Sequence, residues 1–295
     1  MKLQALSTLT AVVETGSFAA AAERVNLTPS AVSLQMKQLE QYFRQPLFDR
    51  SGRNARPTPF AAALCRTVER AVADIDAMRL APDHVPAGRV RLGVTDSALT
   101  TLLPGAFALL QERAPQVALV VGRGTTPTLL QQLKAGDIDV AVLIRPPSGG
   151  SSRLRWTDLL VEEFVLLAPA ALPAGNAARL LRTQPWIRLD HRVIAGQIAA
   201  DYVQAQVPGK PALIELPGMD PVVAMVGMGL GVSVVPRPRH QLLDAYPVQA
   251  LPLGAGGPRR HLAMARRAAD VDRRAFDVVE QAFGEVARAL PGSGG

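Results

Sequence analysis

From Arg89 onward the chain alternates between short β-branched runs and amphipathic stretches, and this restricts the fold more than any other feature. "RVRLGV", "QVALVVG" and "IDVAVLI" read as strands; "TTLLPGAFALLQERA" and "TPTLLQQLKAG" between them read as helices. Such order predicts a parallel sheet covered by helices, because parallel neighbours need a long crossover connection. A second round follows in "FVLLAP", a weak helix near "NAARLLRT", "PWIRL", "VIAGQIAADYVQAQ", "PALIEL", "MDPVVAMVGMG" and "GVSVVP". "RHLAMA" and a helix over 271–290 close the chain. The expectation is two similar α/β lobes joined by crossing strands near 159–168 and 260–266.

The first 58 residues follow another pattern. Leu3, Leu6, Leu9 and Val13 recur at helical spacing. Ser17 is placed to cap a second helix whose inner side is Phe18, Ala21, Ala22 and Val25, with the run Ala19–Ala22 suited to close helix contact. Thr28-Pro29 then starts a third helix, with a capping hydroxyl and proline at its first position. Helices joined by so short a turn predict a helix-turn-helix over about residues 18–37. "RQPLFDRSGRNARPTPF" predicts a small β-ribbon, or wing. Residues 59–80 predict one helix in which Leu64, Val68, Ala71, Ile75 and Met78 form a near-heptad seam. Such a seam calls for a partner, and a second copy of the chain is the economical one. "APDHVPAGR" reads as a linker, with a hinge at 81–88.

Composition sets bounds on function. A 295-residue chain with 48% hydrophobic and 19% charged residues reads as a globular protein. Its apolar runs are too short and interrupted for a membrane span, and its start lacks the apolar core of a secretory signal. A lone Cys65 cannot build a disulfide framework, so the expected location is cytoplasmic. Net charge is +7. Residues 1–58 hold seven cations against four anions, a net of +3, and "RSGRNAR" packs Arg50, Arg53 and Arg56 together.

On a helical wheel of "NLTPSAVSLQMKQLEQYF", Val32, Met36, Leu39 and Phe43 fall inward. Ser30, Ser33, Leu34, Lys37, Gln38 and Gln41 fall outward, a face without acids. Short hydroxyls at a helix start approach phosphate closely, aided by free amides and the helix dipole. Gln and Lys hydrogen-bond base edges, while Pro29, Ala31 and Leu34 suit a thymine methyl. An isolated helix with this face would read as merely solvated; the short turn before it and the arginines after it favour double-stranded DNA. The wing arginines suit phosphate positioning and a narrow minor groove.

The run "FAAAAERVNLTPSAVSLQMKQLEQYFRQPLFDR" followed by "RNARPTP" resembles the winged helix-turn-helix of LysR-type transcriptional regulators. "GRVRLGVTDSALTTLLP", "LKAGDIDVAVL" and "VGMGLGVSVVP" resemble landmarks of that family's effector-binding domain, so the resemblance spans nearly the whole chain. It implies an α/β fold with an N-terminal all-α winged helix-turn-helix at 1–58 and a linker helix at 59–80. An effector domain at 89–291 would follow, of periplasmic-binding-protein type II architecture with Rossmann-like lobes at about 89–161 with 266–291 and at about 162–265. It also implies a homodimer or homotetramer through the linker helix and effector domains, binding promoter DNA and a small-molecule effector. DNA contacts fall on Thr28, Pro29, Ser30, Ala31, Ser33, Leu34, Lys37, Arg50, Arg53 and Arg56. Leu34 stands where many members carry a base-reading arginine.

For the effector, the resemblance points to Ser97 and Thr100, to Thr125 and Thr126, and to Arg145. Strand ends face the crevice in such lobes, and hydroxyls with helix N-terminal amides bind carboxylates. Ser97 and Thr125 serve equally as simple helix caps, and Arg145 as half of a surface ion pair. Asp96 is awkward beside an anion unless it turns away or the ligand carries a cation.

No enzyme signal holds. "GMGLGV" has a helix before it and a strand after, the reverse of a dinucleotide fingerprint. His84, His191, His240 and His261 are scattered without metal spacing, and Cys65 fits packing better than catalysis. Asp137 and Asp139 in "GDID" fit a helix-to-strand turn. No catalytic residue, metal or cofactor is expected. The alternatives are a small-molecule binding protein of the periplasmic type with no regulatory role, or an enzyme built on the two-lobed fold.

Overall fold

The computed structural model describes residues 3–49, 56–80, 86–146, 152–173, 175–270 and 273–290. Three helices, α1 (Leu3–Thr15), α2 (Phe18–Arg24) and α3 (Pro29–Phe43), open the chain. They bury Leu6, Leu9, Val12, Ala21, Ala22, Val32, Met36 and Leu39 in one core. Ala19 and Ala20 are exposed, so only half of the alanine run makes the expected helix contact. Strands β1 (Phe48–Asp49) and β2 (Arg56–Pro57) pair antiparallel as the base of the wing.

Helix α4 (Pro59–Leu80) starts against this core, with Ala61 and Cys65 buried and Leu64 and Val68 packed on it. Burial pushes the Cys65 thiol up, which keeps it protonated and suits packing rather than nucleophilic chemistry. Further along, Ala71 and Ile75 of the seam are exposed, Ile75 at 63%, as is the neighbouring Val72, while the Met78 side chain lies outside the described residues.

The α/β region continues with β3 (Gly88–Val94), α5 (Asp96–Thr101), α6 (Leu103–Arg113), β4 (Val117–Arg123), α7 (Thr126–Ala135) and β5 (Val140–Ile144). The single helix expected over "TTLLPGAFALLQERA" is two, breaking at Leu102 just before Pro104. Proline there removes the amide that would bond the carbonyl four residues back. Next come β6 (Leu154–Pro169), α8 (Ala177–Thr183), β7 (Trp186–Leu189), α9 (Ile194–Gln206), β8 (Ala212–Leu216), α10 (Met219–Gly227) and β9 (Ser233–Pro236). The chain ends with α11 (His240–Asp244), β10 (Val248–Pro252), β11 (Arg259–Arg267) and α12 (Arg274–Ala289). The alternation did not register α11 and β10: one is five residues long, and Pro247 and Pro252 blur the other.

β6 joins the lobes. Its first ten residues pair antiparallel with β11, which continues the sheet to β5, β3 and β4. Its last six pair with β9 and β10 in the second lobe, where Trp186 bridges to Val232 and β7 pairs parallel with β8. β6 therefore begins before the expected crossing at 159, while β11 stays wholly in the first sheet. One core lies between the first sheet and α6 with α12, around Phe283, Leu92 and Val142. Another fills the second lobe around Trp186, Val203 and Val226.

The registers fix which strand ends face each other. β11 starts beside the C-terminal end of β5, and β6 leaves the first sheet at that same end. β7, β8 and β9 run back toward this crossover, antiparallel to β6. The C-terminal ends of the parallel strands in both lobes thus look across one cleft.

Candidate nucleic-acid interface and interlobe cleft

Asn26, at φ 53°, takes the left-handed conformation that closes the turn into α3, one that asparagine tolerates better than most residues. Thr28 Oγ1 then accepts a hydrogen bond from the Ala31 amide at 3.2 Å and lies 3.0 Å from Ser30 Oγ. Pro29 occupies the first turn, and Arg44, at φ 53°, ends the helix. Thr28, Pro29, Ser30, Lys37, Gln38 and Gln41 are exposed; Ala31 and Ser33 are half-buried. Leu34 is 57% exposed, an apolar side chain pointing off an otherwise polar face.

Glu40 does not spoil this surface. Its Oε1 accepts the Leu47 amide at 2.9 Å, tying the helix to the start of the wing. Lys37, Gln41, Arg44 and Arg56 line one open groove between α3 and the ribbon. Arg56 is exposed on β2, while Arg50 and Arg53 lie outside the described residues. Three cations, Lys37, Arg44 and Arg56, stand on this groove against two acids, Glu40 and Asp49, so its charge is positive by one, the sign that suits phosphates.

The cleft treats its five sequence candidates differently. Ser97, in the first turn of α5, is half-buried at the end of β3. Thr100 is exposed one turn later, its hydroxyl bonded back to the Ser97 carbonyl at 3.1 Å. Thr125 is exposed before α7, with Oγ1 3.0 Å from Thr128 Oγ1 and no bond to the helix amides. Thr126 is buried, and its hydroxyl is engaged with the main chain of Ile144 at 3.3 and 3.4 Å, so it pins α7 to β5. Arg145 extends to Asp158 on β6 at 2.6 Å and lies over the Trp156 ring. Ser97, Thr100 and Thr125 are therefore grouped at the strand ends, whereas Thr126 and Arg145 are committed to partners within the first lobe. Asp96 pairs with Arg123 at 3.1 Å, which offsets its charge.

Other groups at the cleft carry no motif. Thr95, beyond the last residue of β3, is buried, and its Oγ1 meets no hydrogen-bond partner among the described residues. From the second lobe the turn after β7 presents Asp190, His191 and Arg192. Arg192 clamps Asp190 at 2.9 to 3.2 Å, and His191 Nδ1 lies 2.8 Å from Glu215 of β8. The Arg192 hydrogen bonds hold the Asp190 carboxyl below the ordinary carboxylate range. Gly196 has no side chain because a Cβ there would collide with the Asp190 carbonyl, so glycine lets α9 start close under this turn. Asp190, His191 and Glu215 bring possible metal-ligand atoms within 4.8 Å of one another, a grouping the sequence spacing concealed. Both acids are already matched by guanidinium groups, Asp190 by Arg192 and Glu215 by Arg188, so the cluster reads as an ion-pair lattice. Arg239, ahead of α11, donates to the Thr100 carbonyl across the cleft at 2.7 Å. Their signal is positional only: Thr95, Asp190, His191, Arg192 and Arg239 sit just past the ends of β3, β7 and β9, and Glu215 is next to the last residue of β8.

Among the described residues no helix is long and apolar enough to cross a membrane. Residues 3–62 match the bacterial regulatory helix-turn-helix protein family named for LysR, and residues 83–288 match the LysR substrate binding domain. The chain is 29% identical over 244 residues to the probable transcriptional regulator LrrA of Synechococcus elongatus, covering 80% of this chain and 81% of that one. It is similar in fold to a full-length OxyR variant from Pseudomonas aeruginosa, with TM-score 0.69 and 24% identity over 98% of this chain and 97% of that one. It is likewise similar to full-length LysG of Corynebacterium glutamicum, solved with arginine bound as effector, with TM-score 0.70 and 18% identity over 98% and 99%.

Proposed function

Because the chain belongs to the LysR family of DNA-binding transcriptional regulators, we propose that α3 reads promoter DNA and that a carboxylate-bearing small molecule is sensed between the lobes. Regulators of this family bind DNA and small-molecule effectors and form oligomers. The observation carrying the DNA assignment is the acid-free outward face of α3 beside the Lys37, Arg44 and Arg56 groove. Thr28, Ser30 and Ser33 approach phosphates and sugar edges, Lys37 reaches phosphate or base edges, and Pro29, Ala31 and Leu34 offer apolar contact. Arg50, Arg53 and Arg56 complete the wing contact. Residues 1–58 act as the reading head, 59–80 as the arm, and 89–291 as the sensor.

For the sensor, the cleft-facing starts of α7, α9 and α10 carry no side-chain cap, which leaves amides for an anion. Ser97, Thr100 and Thr125 lie beside them, and the buried Thr95 hydroxyl suits a ligand acceptor. Thr126 and Arg145 act by holding the wall in place. The uncovered Val72 and Ile75 of α4 support pairing with a second copy through the linker helix.

Two measurements test these readings. Binding to the protein's own upstream DNA must exceed binding to random DNA at physiological salt and fall steeply as salt rises. Equal affinity for both would defeat the DNA assignment. A thermal-shift screen of carboxylate metabolites must give a hit that Ser97→Ala abolishes; hits confined to neutral or cationic compounds would defeat the carboxylate assignment.

A further inference from the structure

The Arg239–Thr100 contact has an origin in the sequence. Helical hydrogen bonding would give the Thr100 carbonyl the amide of residue 104, but that residue is Pro104, which has none. The helix breaks at Leu102, and the Thr100 carbonyl is left without its usual helical donor. Arg239 Nη1 from the other lobe reaches this carbonyl at 2.7 Å.

Its delivery is equally specific. Arg239 ends the run "VPRPR", where Pro236 and Pro238 are both buried and each fixes its own backbone φ. The Arg237 amide donates to the Glu163 carbonyl at 2.9 Å, at the point where β6 passes between the lobes. A stiff strut anchored on the crossover strand therefore carries one guanidinium over the cleft. Arginine is the right end group, because its planar, multi-donor head loses less freedom per bond than a lysine ammonium.

We propose that Arg239 is a cross-lobe clasp that holds the cleft closed through the Thr100 carbonyl, and that Pro104 is what makes that carbonyl available. Opening the cleft requires this hydrogen bond to break. An anion arriving beside Ser97 offers the same guanidinium a charged acceptor, which forms the stronger bond, so ligand entry and release of the clasp are linked. That last link rests on the sensor reading above; the clasp itself does not.

The test is a lobe-to-lobe distance in the full chain without added ligand. Cys65→Ser removes the native thiol, and spin labels are placed at two exposed positions, Gln131 on α7 and Asp201 on α9, with labelled chain diluted into unlabelled chain. The parent should show one narrow distance distribution. Arg239→Ala should broaden it and shift it, with loss of at least half of the parent population. Arg239→Lys should lose less, and Arg237→Ala, a neighbouring exposed arginine, should match the parent. Pro104→Ala restores the helical amide that competes for Thr100 and should move the distribution as Arg239→Ala does. A parental distribution for Arg239→Ala overturns the clasp. Movement with Arg239→Ala but none with Pro104→Ala overturns the role given to the proline. A chain that opens as expected yet binds no carboxylate in the thermal-shift screen would remove the sensor reading and leave the clasp standing.

Discussion

Arg66 on α4 meets Asp137, in the turn between α7 and β5, with Nε and Oδ1 2.8 Å apart. Glu69, one turn further along α4, lies near Arg91 of β3 and acts on its charge. The linker helix thus meets the first lobe through an ion pair, while Glu69 adds a smaller favourable charge to an Arg91 already paired with Asp139.

Reversing Asp137 to arginine should loosen this seam without unfolding either unit. Both partners are partly exposed, so the pair is worth at most about 1 kcal/mol. Amide exchange in residues 133–139 should rise by up to about fivefold, which that energy equals. The swap Arg66→Asp with Asp137→Arg should restore the parental rate; a double variant as fast as the single one would refute the pairing.

Asp139 is a heavier loss. It is 3% exposed, accepts the Arg91 backbone and guanidinium at 2.9 to 3.1 Å, and lies 3.5 Å from Arg267. Burial alone would push its carboxyl up, but the Arg91 hydrogen bonds with Arg267 hold it below the ordinary carboxylate range. A depressed folded value means its stabilisation is complete above the unfolded carboxylate value and disappears as pH falls through the folded one. Asp139→Asn should cost about 3 kcal/mol near neutral pH, by leaving the partly buried Arg91 without its carboxylate, whereas Arg267 keeps Asp270 at 2.8 Å. It should also flatten the acid limb of stability against pH in urea titrations.

On the DNA side, Leu34→Ala and Lys37→Ala should fail differently. Losing Leu34 should relax preference at one base pair by about 1 kcal/mol and leave the salt slope unchanged. If Lys37 binds phosphate, its loss should weaken all sequences alike and lower the slope by about one. Binding titrations on matched and mismatched duplexes at several salt concentrations separate the two outcomes.

Two threonines in the sensor should behave in opposite ways. Thr126→Val removes a hydroxyl that satisfies the Ile144 main chain, and should cost about 1 to 3 kcal/mol in denaturant unfolding. Thr95→Val removes a buried hydroxyl that meets no partner among the described residues, and should be neutral or stabilising in ligand-free protein. The same Thr95→Val variant should shrink the thermal shift given by a cleft ligand.

The reading helix was legible in the sequence because its signals are local. A capping hydroxyl, a proline in the first turn, a 3.6-residue apolar period and an outward face without acids all lie within a few residues of one another. The strand–helix alternation was legible for the same reason, and it gave the α/β class and the sheet-forming runs. The cleft was half legible. Ser97, Thr100 and Thr125 lie at strand ends that any parallel sheet directs toward a crevice. Tertiary structure alone decided that Arg145 turns to Asp158, that Thr126 is spent on Ile144, and that Asp190, His191 and Glu215 gather from two strands. It also decided that Arg239 reaches Thr100, a partner 139 positions away. A long side chain takes whichever partner the packed lobes bring within reach, and no local pattern encodes that choice. Pro104 marks the boundary between the two: the sequence determines that one helical carbonyl loses its donor, and the fold determines which residue replaces it.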